Sequence, residues 1–320
     1  MVEGKVIFVD AVHNVLWKRL SELGWECVDR TKDSAETIKS ELHVYSGIVI
    51  RSKFKLDASL LEQLPKLQFI ARSGSGLEHI DTDYAKKNNI HVFSSPEGNR
   101  DALAEHAMGM LLMLLNNLKK ADTEVREGFW LRAENRGFEL KGKTIGLIGY
   151  GKMAQALSKR LKGFEVNTIA YDKFKTGFSN HLVTEVSKED LQRKADIISV
   201  HTNFLPENKY IINEEFIKGC KKDFILINTA RGFNVHTLHL IDALKSGKIK
   251  GACLDVLEYE SVSFENVYSK QGKALERLKQ FKNVILSPHI AGWSHESYFK
   301  LSNVLADKIE SWLTSKKSTN

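Results

Sequence analysis

The sequence predicts an α/β protein made of two parallel sheets, each covered by helices. Three observations carry this. Short apolar runs alternate with helical segments along almost the whole chain. The stretch 143–154 passes from an apolar strand through a tight glycine turn into a helix. Several apolar runs end in arginine, acid, histidine or glycine, as strands do where a sheet edge meets a ligand.

The first hundred residues alternate at a short pace. Residues 6–9, 25–28, 47–50, 67–71 and 90–93 read as strands. Residues 14–23, 34–42, 57–64 and 82–88 read as helices, the third stopped by Pro65. Two strand ends stand out, Arg51-Ser52-Lys53 and Arg72-Ser73-Gly74-Ser75-Gly76. Glycine-rich backbone offers N–H groups to an anion, and a guanidinium offers a bidentate fork. Residues 94–98 form a turn cluster and a hinge candidate. Residues 99–127 read as one long helix, apolar almost all round from 107 to 115. Such a helix must be buried, in a core or against another subunit. His106 near its start reads as a satisfied core or interface residue.

The stretch 143–172 has the form of a dinucleotide-binding βαβ unit. Gly149 permits the turn, Gly151 lets backbone approach a pyrophosphate, and small Ala154 lets helix pack on strand. The start of the helix at Lys152 offers N–H groups and a positive dipole end. The next strand, 167–171, runs into Asp172, placed to hold a ribose 2′-hydroxyl and repel a 2′-phosphate. The cofactor expected is NAD.

Beyond it, strands are expected at 196–201, 224–229, 252–256 and 283–287, with helices at 213–219, 236–246 and 294–313. Arg231, Glu260 and His289 follow three of these strands and would reach one sheet edge. An arginine fork can hold a carboxylate and polarise the neighbouring carbonyl. A histidine can take a hydroxyl proton, and a carboxylate beside it stabilises the imidazolium and fixes the ring.

Composition bounds the rest. A chain of 320 residues suggests two domains, and 42% hydrophobic with 27% charged residues is ordinary for globular proteins. The net charge of +7 comes from dispersed lysines with no basic module, so a nucleic-acid partner is not expected. Cys27, Cys220 and Cys253 have no metal spacing, so no metal is expected, and Cys253 reads as core. The longest apolar stretch is too short to span a bilayer, and residues 1–10 do not form a cleavable signal. A cytoplasmic protein is the expectation.

The chain resembles the D-isomer-specific 2-hydroxy acid dehydrogenases. The matching pieces are 71–81, 98–106, the glycine loop, Asn228-Thr-Ala-Arg-Gly232, Gly251-Ala-Cys-Leu-Asp-Val256 and Ser287-Pro-His-Ile-Ala-Gly292, in the family's order and spacing. The resemblance implies two Rossmann-like domains with a cleft between them: a flavodoxin-like substrate domain (1–97 and 291–320) and an NAD-binding domain (98–290). It implies catalytic Arg231, Glu260 and His289. It implies cofactor contacts from Gly149, Tyr150, Gly151, Lys152, Met153, Asp172, His201, Thr202, Pro206, Thr229, Ala230, Asp255 and Gly292, with Asp255 on the nicotinamide amide. Arg51, Ser52, Ser73, Gly74 and Arg231 would bind substrate, the backbone of Ser73 and Gly74 holding its carboxylate. The long helix would join a homodimer.

Within the family, the segments after 50 and 71 are most similar to those of short 3-phosphoglycerate dehydrogenases without a regulatory domain, and Arg51 is placed to meet a substrate phosphate. Asn203 stands where the family usually has proline, Leu205 replaces its threonine, and bulky Trp293 follows the catalytic loop. The expected activity is NAD-dependent interconversion of a D-2-hydroxy acid and its 2-oxo acid, with 3-phosphoglycerate as best guess. The alternatives are a glyoxylate or hydroxypyruvate reductase and a non-enzymatic NAD-sensing scaffold like the dehydrogenase-fold corepressors.

Overall fold

A computed structural model describes residues 4–260 and 272–318 of the chain. These form two compact units, one from Met1–Arg100 with Trp293–Asn320, the other from Asp101–Gly292.

The first unit is a five-stranded sheet: β1 (Lys5–Phe8), β2 (Glu26–Asp29), β3 (Gly47–Ile50), β4 (Phe69–Arg72) and β5 (His91–Ser94). Its order is β2-β1-β3-β4-β5, with every pairing parallel. Both faces are covered, so the strands read as continuous apolar runs. Alternate residues supply the two cores. Ile7, Ile48 and Ile70 face one side, and Val6, Val49 and Phe69 face the other. The second core is closed by the helices Asn14–Glu22 and His295–Ser318. Arg19 ties them together through Asp307 and Glu310, each at 2.5 Å.

The second unit has seven strands: β6 (Thr144–Ile148), β7 (Asn167–Tyr171), β8 (Thr184–Glu185), β9 (Ile197–Val200), β10 (Phe224–Asn228), β11 (Ile249–Leu254) and β12 (Val284–Leu286). The order is β12-β11-β10-β9-β6-β7-β8, again parallel throughout. The chain runs from β6 outward to β8, then returns to β9 on the opposite side of β6. That reversal makes β6/β9 the switch point, where loops part and leave a crevice for a ligand. Cys253 is fully buried in this unit's core.

Three expectations need correction. The helix expected over 99–127 is two helices, Pro96–Leu115 and Leu118–Arg126. Asn117 between them has φ +53°, a left-handed conformation that asparagine tolerates and that ends a helix. The turn expected at 94–98 is already helical from Pro96, which suits the first helical position because it needs no N–H acceptor. The helix expected at 57–64 shortens to Ala58–Leu61. Strand β8 and the helix Gly272–Lys279 were not anticipated. Among the described residues no helix is long and apolar enough to cross a membrane.

Candidate active site and cofactor site

The glycine loop sits at the switch point. Gly149 has φ +87°, and a Cβ there would lie 2.8 Å from the His201 carbonyl oxygen. Both facts demand glycine. The Gly149 N–H donates to Tyr171 O at 2.7 Å, and the Tyr150 N–H donates to Asp172 Oδ2 at 2.7 Å. Asp172 Oδ1 accepts from the N–H groups of Phe174 and Lys175. Its carboxylate is therefore oriented at the end of β7 by three backbone donors. The Tyr150 ring is buried and stacks on Phe178 at 4.9 Å.

Gly151 caps the helix Lys152–Leu161 without a side-chain cap, and a Cβ there would meet nothing within 4 Å. The positive end of the helix dipole borders that open space. The buried hydroxyls of Thr202 and Thr229, after β9 and β10, have no hydrogen-bond partner among the described residues. Buried polar atoms of this kind need a partner. A pyrophosphate carrying hydroxylated sugars suits the helix start and gives such hydroxyls partners, so the site fits a dinucleotide.

His201 also lies on this edge. Its N–H donates to Ile148 O, and Nε2 lies 2.9 Å from Ser199 Oγ. Burial pushes its imidazole down from 6.5 to about 4, so the ring is neutral at pH 7. Between those values the unfolded chain binds a proton that the folded chain excludes. The stability tied to the neutral ring is full above about 6.5 and is lost as pH falls toward 4, by at most about 3 kcal/mol. Thermal melts at pH 7 and pH 5 should diverge more in the wild type than in His201→Gln. Equal divergence would remove His201 from the acid limb.

Pro206 opens a short turn, Pro206–Asn208. Asn203, at the family's proline position, accepts from Asn208 Nδ2 through both its carbonyl and its side chain. Leu205 donates back to Asn203 O. A side-chain lock thus stands where a proline ring would have stiffened the loop. Ala230 N–H is held by Asn228 Oδ1. Gly292 is the last residue of this unit.

Arg231, Glu260 and His289 follow β10, β11 and β12, three neighbouring strands. His289 Nδ1 lies 2.6 Å from Glu260 Oε2. Glu260 Oε1 accepts the Leu257 N–H. Arg231 joins through the main chain: its N–H donates to Asn234 Oδ1, and the next residue, Gly232, packs against Leu257 and Glu258 so closely that a Cβ would sit 1.9 Å from Leu257 O. His289 has φ +56°, costly for a non-glycine residue.

Asp255 holds that strained turn. Its backbone O accepts the His289 N–H, Oδ1 accepts from Ile290 N and Ser287 Oγ, and Oδ2 accepts from Ala291 N. The side chain is 2% exposed overall. Both carboxylate oxygens thus help to fix the histidine turn. His106 Nε2, 2.9 Å from Ser287 Oγ, completes this network as a satisfied residue.

The candidate substrate residues lie in the first unit. The N–H groups of Arg51, Ser52 and Lys53 all donate to Asp10 Oδ2, at 2.6, 2.9 and 3.1 Å. Ser52 is thereby a structural donor, while the Arg51 guanidinium lies over Trp293. The expectation for Ser73 and Gly74 is corrected. The Ser73 N–H donates to Ile50 O and the Gly74 N–H to Ser95 Oγ, so neither is left for a carboxylate. Gly74 has φ +151°, and Arg72 Nη1 fills the place of its absent Cβ. The Ser75 hydroxyl is tied to Asn99 Oδ1 at 2.7 Å. Asp10 was missed at sequence level, although an acid directly after β1 was the available signal.

Residues 108–291 match the D-isomer specific 2-hydroxyacid dehydrogenase NAD binding domain. The chain belongs to this family. It is 33% identical over 307 residues to the D-3-phosphoglycerate dehydrogenase of Archaeoglobus fulgidus, covering 95% of this chain and 56% of that protein. It thus spans little more than half of that relative's length. It is 36% identical over 264 residues to the glyoxylate reductase of Thermococcus litoralis, covering 80% and 76%. It is 34% identical over 278 residues to the hydroxypyruvate reductase of Thermotoga maritima, covering 87% of each. Among solved structures, D-lactate dehydrogenase from Aquifex aeolicus, complexed with NAD and lactic acid, superposes with TM-score 0.81 at 28% identity, covering 98% of this chain and 96% of that one. NAD is the family's cofactor, and the switch-point loop is where it fits.

Proposed function

We propose that this chain is an NAD-dependent D-2-hydroxy acid dehydrogenase, interconverting a 2-hydroxy acid and its 2-oxo acid. The observation that carries the reading is the contact between Glu260 and His289. A bound NAD would supply the acceptor for a hydride from substrate C2. Gly151, Lys152 and Met153 would hold its pyrophosphate, Asp172 its ribose, and Thr202 and Thr229 further polar groups.

With Nδ1 of His289 facing Glu260, Nε2 is the nitrogen that would take the substrate hydroxyl proton. Glu260 then faces the imidazolium that forms and stabilises it. Arg231 binds the substrate carboxylate and polarises the C2 oxygen.

The best substrate guess is 3-phosphoglycerate, oxidised to 3-phosphohydroxypyruvate, and Arg51 beyond β3 supports it. A panel of 3-phosphoglycerate, glycerate, lactate, glyoxylate and hydroxypyruvate with NAD or NADH, followed at the reduced-nicotinamide band, tests the reading. Turnover of at least one is expected, and none would sink it.

The protein is further proposed to be a homodimer. The segment after the helix Pro96–Leu115 exposes Leu118, Val125, Phe129, Trp130 and Phe138, with Trp130 77% and Phe138 69% exposed. A surface this apolar needs a cover, and a second copy offers the same surface in return. Light scattering on the sample used for the panel should give twice the chain mass of 36.3 kDa.

A further inference from the structure

Strand β11 ends at Leu254, so Glu260 stands well beyond it and the strand alone does not fix its place. The turn that carries Glu260 is closed from within. The Glu260 N–H donates to Leu257 O at 3.2 Å, and the Leu257 N–H donates to the Glu260 carboxylate. Glu258, inside that turn, reaches outward to the neighbouring loops. Its Oε1 accepts the Tyr210 hydroxyl at 2.5 Å, and its Oε2 accepts the Thr237 N–H at 3.0 Å. Tyr210 lies on the loop after β9, and Thr237 opens the helix Thr237–Ser246 that follows β10. One carboxylate thus ties together the loops of three neighbouring strands, β9, β10 and β11. An ionised acceptor strengthens both bonds, and a helix start favours negative charge beside it.

Tyr210 is held for this contact. Its φ is +53°, which costs an aromatic residue free energy and persists only where the surroundings impose it. Its N–H donates to Phe233 O at 2.9 Å, and its ring meets that of His236 in a T-shape with centroids 4.7 Å apart. The Ile212 N–H donates to Asn234 O and the His236 N–H to Ile212 O, so segments 210–212 and 233–236 are laced together. The bond to Glu258 pushes the phenol up to about 12, so the hydroxyl keeps its proton at neutral pH and remains a donor. Neither Tyr210 nor Glu258 has a part in the chemistry proposed above.

We infer that Tyr210 and Glu258 form a clamp that positions Glu260 against His289, and that the clamp supports turnover by acting through Glu260. The effect on turnover rests on the dehydrogenase reading, while the effect on the turn rests on geometry alone.

Tyr210→Phe removes the hydroxyl and keeps the ring. With the best 2-hydroxy acid of the panel it should lower kcat about tenfold, while KM for NAD changes less than about twofold. The same substitution made in Glu260→Ala, where no carboxylate is left to position, should lower kcat much less. An unchanged kcat in Tyr210→Phe, or an equal fold-loss in both backgrounds, overturns the positioning role. Glu258→Ala should lose at least as much as Tyr210→Phe, and the double variant no more than Glu258→Ala alone, because each breaks the same clamp. Losses that multiply overturn it.

A second readout needs no turnover. Hydrogen exchange on a peptide covering 254–260 should quicken severalfold in Tyr210→Phe, while one covering β6 exchanges as in wild type. Unchanged exchange at 254–260 overturns the clamp, and so does an equal rise in both peptides, which marks a global loss of stability. Local quickening, with no turnover of any 2-hydroxy acid by wild type, overturns the dehydrogenase reading and leaves the clamp standing.

Discussion

Replacing His289 by alanine should lower kcat for the best 2-hydroxy acid by about 10²–10⁴, the usual contribution of a positioned acid–base group. NAD affinity, read by fluorescence or calorimetry, should change little, because most of the expected cofactor contacts lie on the loops after β6, β7, β9 and β10. Glu260→Gln should lower kcat by a smaller factor. Its amide can still accept from Nδ1–H, at the 2.6 Å contact the carboxylate makes, but it carries no charge to face an imidazolium. Unchanged turnover in His289→Ala would remove this histidine from the chemistry, and unchanged kcat in Glu260→Gln would reduce Glu260 to a structural partner.

A single methyl group at Gly232 should be nearly as damaging. Its Cβ would lie 1.9 Å from Leu257 O and 2.6 Å from Glu258 N, backbone atoms that cannot rotate away. The turn carrying Arg231 and the segment leading to Glu260 must then separate. Overpacking of this kind costs about 1–3 kcal/mol, or several degrees in Tm for a unit of this size. Activity should fall more than stability does, since the displaced atoms carry the site. Gly163 is the control, because a Cβ there meets nothing within 4 Å and its φ is not in the left-handed region. Gly163→Ala should melt and turn over like wild type. If Gly232→Ala does the same, the close approach of the two turns has no functional weight.

The strands were legible because both sheets are parallel and covered on both faces. A buried parallel strand must be apolar at nearly every position, so 47–50, 144–148 and 167–171 could be read to the residue. The ends of helices were less legible. Asn117 breaks the helix by adopting a left-handed backbone, and an asparagine in sequence looks the same whether or not it does so. The shared placement of the three strand-end groups was legible for a topological reason. Residues just past parallel strands share one edge, so Arg231, Glu260 and His289 could be grouped before any distance was known.

What the linear order could not carry was the destination of each hydrogen bond. Ser73 and Gly74 look like free donors until Ile50 O and Ser95 Oγ are seen to accept from them. The hold of both Asp255 oxygens on the turn at 287–291 likewise emerges only in the folded chain. The pairing of Arg51 with Trp293 joins residues far apart in the chain, and no periodicity encodes it.

The sequence by itself determined the sheet type, the glycine loop, the acid at the end of β7 and the three strand-end groups, because each follows from local pattern and strand direction. Only the tertiary structure decided which donors and acceptors are already satisfied at home. A buried polar group takes whichever partner the packed chain brings within reach, and that choice is made between segments distant in sequence.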